Sequence, residues 1–141
     1  MKNFTNPQFT ILLVDDEPSL SEALKASLEA RNLHCVSKSD MSSALEYIEL
    51  NKVSVLVTDI MMPAGDSFPG VDSSETGFYF VSLVRKKWPE ISIICLSVIG
   101  DQNKINKLKK QNVLYLRKGE TPLGTAVNLI ESKARGIYSS R

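Results

Sequence analysis

Cysteine, histidine and tryptophan are scarce in this chain of 141 residues, which contains two, one and one of them. Cys35 and Cys95 both lie inside short apolar runs that are typical of buried strands. We therefore expect reduced core thiols rather than a disulfide, as is usual in a cytoplasmic protein. His34 lies beside one of these runs and is interpreted as a structural residue.

Long hydrophobic runs and an excess of charge of one sign are also missing. No apolar run approaches the roughly 20 residues of a membrane-spanning helix, and residues 1–8 lack the apolar stretch of a signal peptide. Lys and Arg number 17 against 16 Asp and Glu, a net charge of +1. Composition therefore gives no indication of binding to nucleic acid or to a membrane. We expect a cytoplasmic protein.

What is present is the composition of an ordinary globular domain, with 43% hydrophobic and 23% charged residues. A chain of this length is expected to bury about two-thirds of its unfolded surface in one core. The stretch after Arg135 is too short and polar for a second domain, and no internal repeat is evident. We therefore predict a single domain over 1–141 with its core at about 9–135.

The chain alternates five times between a short apolar run and a helical period. This alternation predicts βαβ units and a parallel sheet. The predicted strands lie at about 9–14, 33–37, 53–58, 91–96 and 113–116. Each is followed by a predicted helix, at about 18–28, 39–48, 75–88, 101–111 and 121–134.

The stretch from 63 to 74 is the least regular part of the chain. It contains two prolines, two glycines and several turn-forming aspartates and serines, which together predict a loop. Connections in βα units usually have about two to six residues. This predicted loop is therefore an unusually long insertion.

Two of the predicted strands stop abruptly at acidic residues. The first runs into Asp15 and Asp16, and the third runs into Asp59. The carboxyl ends of parallel strands share one edge of the sheet, where such sheets bind their ligands. Carboxylates that meet in a partly buried site need a cation or a raised pKa. The sequence therefore predicts a metal site at this edge.

A serine and a basic residue follow the fourth and fifth predicted strands at the same edge. These are Ser97 after the fourth strand and the pair Arg117-Lys118 after the fifth, of which Lys118 is the candidate for the site. An oxygen-rich pocket suits Mg²⁺, which keeps several waters for a phosphoryl substrate. A carboxylate can act as the nucleophile and form an aspartyl phosphate. A metal ion and a lysine can neutralise the charge on the transferring group, so the set indicates phosphoryl chemistry.

Each of these residues also has a simpler interpretation when it is taken alone. Asp15 and Asp16 could serve only as a helix N-cap, and Asp59 could be an ordinary loop acid. Ser97 could merely hydrogen-bond a strand end, and Lys118 could be a solvated lysine. Their coincidence at one predicted sheet edge is what favours a shared site.

Lysines at 104, 107, 109 and 110 make the fourth predicted helix basic. Two interpretations of them stay open at this point. The lysines form a solvated face, or they belong to a surface that binds a partner protein.

The order of these residues resembles the receiver domain of two-component response regulators, including the single-domain chemotaxis regulator. The resemblance covers about 9–135 and rests on the acid pair Asp15-Asp16, the run Thr58-Asp59-Ile60-Met61-Met62-Pro63, Ser97, Tyr115 and Lys118. It implies an α/β fold of the flavodoxin-like type. This is a doubly wound, five-stranded parallel sheet in the order 2-1-3-4-5 with five helices, (βα)5.

The resemblance also implies where a phosphoryl group and a metal ion would bind. Asp59 would be the phosphorylated aspartate. Asp15 and Asp16 would hold Mg²⁺, with help from Asp59 and the backbone carbonyl of Met61. Lys118 would pair with a phosphoryl oxygen.

A switch is implied as well. Ser97 would hydrogen-bond a phosphoryl oxygen and move toward it, and Tyr115 would turn inward into the space that Ser97 vacates. The resemblance implies that a sensor histidine kinase or phosphotransfer protein supplies the phosphoryl group. A downstream protein would bind the face formed by helix four, strand five and helix five, and dimerisation through this region is left open.

Three residues depart from the pattern of the family. Relatives usually have a glycine shortly after Met-Pro, whereas in this chain the corresponding glycine, Gly77, comes only after the insertion. Gly119 follows Lys118 where relatives usually have proline, which makes the position of the lysine uncertain from sequence. Val98 follows Ser97 where relatives prefer a small residue, and a valine there is expected to narrow the route to Asp59.

Three functions are compared on these grounds. The leading hypothesis is a phosphorylatable signalling domain that is not an enzyme. The alternative is a receiver-like scaffold that binds partners without phosphorylation. A phosphatase is disfavoured, because such enzymes place a second acid two residues after the nucleophile, where this chain has Met61.

Overall fold

A computed structural model describes residues 9–60, 76–99 and 101–136. They form five strands and five helices in strict alternation: β1 Thr10–Val14, α1 Pro18–Glu29, β2 His34–Lys38, α2 Met41–Leu50, β3 Val55–Thr58, α3 Thr76–Lys87, β4 Ser92–Ser97, α4 Gln102–Lys110, β5 Val113–Arg117 and α5 Leu123–Arg135. All strand pairs are parallel, in the order β2-β1-β3-β4-β5. The predicted doubly wound α/β fold is therefore confirmed.

The central strands are buried on both faces because helices cover both sides of the sheet. Alternate residues of β1 point to opposite faces, so Leu12 and Val14 join one core while Ile11 and Leu13 join the other. The first core includes the apolar residues of α2, α3 and α4, and the second includes those of α1 and α5. This two-sided burial explains why the strands are short continuous apolar runs.

Three helix ends have a clear local cause. Pro18 occupies the first turn of α1, where its missing N–H costs nothing. Asp40 caps α2, because its carboxylate accepts a 2.7 Å hydrogen bond from the Ser43 amide. The chain leaves α5 through Gly136 at a φ of 73°, in the left-handed conformation that glycine favours.

Within the described residues, no helix is both long and apolar enough to cross a membrane.

The predicted strand boundaries shift by one or two residues. Val53 lies before β3, which begins at Val55, while Ser97 is the last residue of β4 rather than the first residue after it. Strand pairing continues to the end of the apolar run, so Ser97 still pairs with Arg117 in β5. These shifts leave the predicted site residues at the carboxyl edge of the sheet.

Arg85 stabilises the amino edge of the sheet, where the strands begin, opposite the carboxyl edge that carries the predicted site residues. Its guanidinium donates hydrogen bonds of 2.7–3.2 Å to the backbone carbonyls of Pro89, Ile91, Gln111 and Asn112. Burial lowers the pKa of this guanidinium. One side chain therefore joins the end of α3, the start of β4 and the turn between α4 and β5.

Both cysteines are free and buried, as the sequence predicts. Burial raises the pKa of the Cys35 thiol to about 12 and also raises that of Cys95. His34 begins the edge strand β2 and is exposed. Met61 and the predicted loop at 63–74 lie outside the described residues.

Candidate functional site

Backbone hydrogen bonds extend the sheet past its strands and fix the two acidic segments. The Asp15 amide donates to the Lys38 carbonyl at 3.1 Å, and the Asp59 amide donates to the Val14 carbonyl at 2.9 Å. Asp15 and Asp59 therefore leave neighbouring strands at the same level. The local sequence dictates this, because each apolar run ends where the next residue is an acid.

The three predicted acids meet at this edge. Asp15, Asp16 and Asp59 each offer one carboxylate oxygen, and these oxygens all lie within 4.8 Å of one another. The side chains of Asp15 and Asp59 are 10% and 9% exposed, whereas Asp16 is open to solvent. Burial raises the pKa of Asp15, against the opposing effect of its hydrogen bond from Lys118.

The donor set suits Mg²⁺. Oxygens bound to this ion at about 2.1 Å are separated by roughly 3–4 Å, and the limit of 4.8 Å on the separation of the carboxylate oxygens here is compatible with such a set. Carboxylate oxygen is also the hard ligand that Mg²⁺ prefers. Asp16 is exposed, so its side of the cluster is accessible to water. The residues present therefore fit the predicted metal.

Lys118 lies at the centre of the acidic cluster. Its ammonium is 2.8 Å from Asp59 Oδ2, 3.0 Å from Asp15 Oδ2 and 3.1 Å from Glu17 Oε1. Burial alone would lower the pKa of Lys118, but hydrogen bonds from the ammonium to Asp59, Asp15 and Glu17 outweigh it and raise that pKa. The lysine is thus held as a cation against the buried carboxylate of Asp59 and the partly buried carboxylate of Asp15.

The contact between Glu17 and Lys118 was not predicted from the sequence. Glu17 directly follows the acid pair and precedes α1, and its own amide donates to Asp15 Oδ1 at 2.9 Å. The run Asp15-Asp16-Glu17 contained the signal, a third acid beside the pair. No pattern in the sequence shows which of these acids Lys118 would reach.

Ser97 lies on the other side of Asp59. Its hydroxyl donates a 2.5 Å hydrogen bond to Asp59 Oδ1 and accepts a 3.4 Å bond from the Ile60 amide. The serine is only 1% exposed. Asp59 is therefore held at one carboxylate oxygen by a hydroxyl and at the other by an ammonium.

Tyr115 contacts the segment that follows Ser97. Its ring packs partly buried against the core formed with α2, α3 and α4. Its hydroxyl accepts a 3.0 Å hydrogen bond from the Ile99 amide and lies 3.1 Å from the Ser97 carbonyl, to which it donates. Tyr115 thus reaches the site through the backbone of Ser97.

The departures from the family pattern have structural counterparts. Gly119 adopts a φ of 88°, so the chain turns directly after Lys118 through a conformation that proline cannot adopt. Gly77 donates its amide to the Ile60 carbonyl at 2.7 Å, next to Asp59. Val98 is 54% exposed beside Ser97. The metal-ligand role predicted for the Met61 carbonyl lies outside the described residues.

Taken together, the fold and this carboxylate, lysine and serine arrangement define a signalling domain of two-component systems. The sequence profile of the response regulator receiver domain matches residues 11–122. The chain therefore belongs to the response regulator receiver domain family. Members of this family are signalling modules.

Individual relatives agree with this assignment. The chain is 42% identical over 59 residues to the response regulator GtcR of Aneurinibacillus migulanus, which is 42% of this chain and 24% of that protein. It is 33% identical over 102 residues to the hydrogenase transcriptional regulatory protein HoxA of Cupriavidus necator, or 72% of this chain and 19% of that protein. The chain therefore spans only about a quarter or less of these relatives.

Solved structures show the same fold. The Francisella response regulator 1452 receiver domain superposes with a TM-score of 0.74 at 23% identity, over 92% of this chain and 99% of that one. A CheY-like receiver domain protein from Methanospirillum hungatei gives a TM-score of 0.76 at 16% identity, over 94% and 98%.

Proposed function

We propose that this chain accepts a phosphoryl group on Asp59 in the presence of Mg²⁺. A histidine kinase or phosphotransfer protein would donate it, and the acceptor would act as a switch in a cytoplasmic signalling pathway. The observation that carries the proposal is the environment of Asp59. Among the described residues it is the one buried acid, and Lys118 and Ser97 hold its two oxygens.

The proposed step is an in-line displacement. A carboxylate oxygen of Asp59 gives up its hydrogen bond, attacks the phosphorus atom of the donor and forms a new bond to it. The bond from phosphorus to the donor's imidazole nitrogen breaks, its electron pair stays on that nitrogen, and the imidazole takes a proton from solvent. Such transfers need mainly positioning and charge neutralisation from the protein.

Asp15, Asp16 and Asp59 would hold Mg²⁺, with the Met61 carbonyl as a further ligand. When it is bound, the ion neutralises negative charge that gathers on the transferring group. Lys118 moves from Asp59 Oδ2 to a phosphoryl oxygen, and its retained charge makes it suited to that contact. Ser97 donates its hydroxyl to another phosphoryl oxygen.

The signal would leave the site through Ser97 and Tyr115. A shift of Ser97 toward the phosphoryl group moves the carbonyl to which Tyr115 donates, and so changes the packing of the tyrosine ring. A downstream protein would bind the face formed by α4, β5 and α5. Lys107, Lys109 and Lys110 of α4 are exposed and make no ion pair with any described residue, which supports α4 as part of a docking surface.

The test is phosphoryl incorporation from acetyl phosphate, measured by intact mass with Mg²⁺ and with EDTA. Wild-type protein is expected to gain one phosphoryl group only with Mg²⁺. Asp59→Asn is expected to gain none, whereas Glu46→Gln, which removes an exposed acid of α2, should behave like wild type. A folded wild-type chain that never gains the group would contradict the proposal and favour the scaffold function.

A further inference from the structure

Arg117 ends β5 immediately before Lys118 and makes two contacts that the proposed phosphoryl step does not use. Its Nη1 donates a 3.1 Å hydrogen bond to the Ile99 carbonyl. Its Nε lies 3.1 Å from Glu120 Oε2, in an ion pair whose side chains are 40% and 71% exposed. One guanidinium therefore joins the segment after β4 to the turn after β5.

Ile99 is held at both of its backbone polar groups by side chains of β5. Its amide donates to the Tyr115 hydroxyl at 3.0 Å, and its carbonyl accepts from Arg117 at 3.1 Å. Tyr115 and Arg117 are two residues apart on one strand, so their side chains project from the same face of the sheet. Both can therefore reach the same segment of backbone.

The segment that they hold begins at Ser97. The Ser97 carbonyl accepts hydrogen bonds from the Tyr115 hydroxyl at 3.1 Å and from the Lys118 amide at 2.9 Å. Its hydroxyl lies 2.5 Å from Asp59 Oδ1. The direction of that hydroxyl depends on the backbone at 97–99, so whatever fixes Ile99 also restricts Ser97.

We propose that Arg117 is a positioning residue for the phosphoryl acceptor. By bonding the Ile99 carbonyl, it holds residues 97–99 against Tyr115 and keeps the Ser97 hydroxyl directed at Asp59. Glu120 orients the guanidinium from the turn that contains Lys118. The arginine thereby couples residues 97–99 to the turn that contains Lys118. These two segments supply the two partners of Asp59, Ser97 and Lys118. This inference rests on the proposed function for its effect on phosphorylation, but not for its effect on the loop.

An arginine suits this position because its planar group carries several N–H donors at fixed angles, so it can bond a carbonyl and a carboxylate at once. A lysine has a single ammonium on a flexible chain and would satisfy the Ile99 carbonyl less firmly. The exposed pair with Glu120 adds little energy by itself. The hydrogen bond to Ile99 is expected to dominate.

The first arm of the test uses the full chain without any phosphoryl donor. Amide hydrogen exchange at Ile99 is measured by NMR in wild type, Arg117→Ala, Arg117→Lys, Glu120→Gln and, as a matched control, Lys86→Ala, which removes an exposed basic side chain of α3. Exchange in Arg117→Ala is expected to be about tenfold faster, the effect of losing one charge-assisted hydrogen bond. Arg117→Lys should be intermediate, Glu120→Gln should change less than about twofold, and the control should match wild type.

The second arm follows the rate of phosphoryl incorporation from acetyl phosphate with Mg²⁺. Arg117→Ala is expected to react about three- to tenfold more slowly than wild type, and Arg117→Lys should recover part of the rate. Wild-type Ile99 exchange in Arg117→Ala would overturn the proposal. If Arg117→Ala proves to be poorly folded, Arg117→Lys, which keeps the charge, decides instead, and wild-type Ile99 exchange in that variant would overturn the proposal. If wild type takes no phosphoryl group, the proposed function fails, while Ile99 exchange still decides the role of Arg117.

Discussion

The backbone amide of Gly77 donates a 2.7 Å hydrogen bond to the carbonyl of Ile60, the residue that follows Asp59. A Cβ atom on Gly77 would overlap the Cα of Ile60, so only glycine allows this approach. The sequence shows that this glycine comes later than is usual in the family. The contact explains its role, because the start of α3 is held against the strand end that carries Asp59.

Gly77→Ala is expected to lower the free energy of unfolding by about 1–3 kcal/mol, because the new methyl group must displace backbone rather than a side chain. Urea denaturation measures this change. Gly124→Ala is the matched control, since a Cβ there meets nothing within 4 Å. Its stability should be unchanged or higher by less than about 1 kcal/mol. Equal stability of the two variants would contradict the tight contact at Ile60.

Lys118→Met removes the cation between the buried carboxylate of Asp59 and the partly buried carboxylate of Asp15. Without Mg²⁺, it is expected to lower the free energy of unfolding by about 1–3 kcal/mol, less than for a fully buried pair because the Lys118 side chain is 18% exposed. Mg²⁺ should reduce this loss by replacing the missing charge. Urea denaturation in EDTA and in Mg²⁺ tests both statements, and Lys110→Met, an exposed lysine of α4, is the control expected to change little in either.

The stability difference between wild type and Lys118→Met is also expected to depend on pH. The pKa of Lys118 is raised above its ordinary value of 10.5 in the folded chain. The folded state therefore binds this proton more tightly than the unfolded state, and the stabilisation is fully present below pH 10.5. The stability difference between wild type and Lys118→Met should stay constant from pH 7 to pH 9 and shrink only as the pH rises above 10.5 toward the raised pKa of Lys118. A difference that grows with alkaline pH would contradict this assignment.

The two thiols are expected to be unreactive in the native protein. The thiolate is the reactive form, and burial raises the pKa of Cys35 to about 12 and also that of Cys95. Ellman's reagent at pH 8 should therefore react slowly with native protein and rapidly with both cysteines in denaturant. Ser19→Cys, at an exposed position of α1, provides a fast-reacting control. Fast labelling of native wild type would show that the core opens readily.

Arg85→Ala should destabilise the fold without touching the candidate site. It leaves four backbone carbonyls at the amino edge of the sheet without their donor, so a loss of about 2–4 kcal/mol is expected. Arg85→Lys should recover part of it. Lys86→Ala, the exposed neighbour, should change stability by less than about 0.5 kcal/mol. Thermal and urea unfolding provide the measurement, and phosphoryl incorporation at low temperature should be unaffected.

Much of the site follows from strand ends alone. Asp15 and Asp59 come directly after apolar runs, and parallel pairing then places them side by side whatever the loops do. Ser97 was predicted just beyond its strand and is the last residue in it, yet it still reaches Asp59. The prediction of the site tolerates an error of one residue in a strand end, because the neighbouring strands define the position of the whole sheet edge.

Contacts that depend on side-chain reach could not be predicted in this way. Nothing in the sequence distinguishes Glu17 from any other acid at a helix start, and its contact with Lys118 appears only when β1 and β5 are placed in space. The hydrogen bond from Arg117 to Ile99 is hidden for the same reason.

The central claim is that Asp59 itself takes the phosphoryl group. Its most direct test is peptide mass spectrometry of wild-type protein after reaction with acetyl phosphate and Mg²⁺, with the modified residue located by fragmentation. The account predicts a single phosphoryl group, on Asp59, that is absent when EDTA replaces Mg²⁺. A phosphoryl group on any other residue, or a fully unmodified Asp59 peptide, would contradict it.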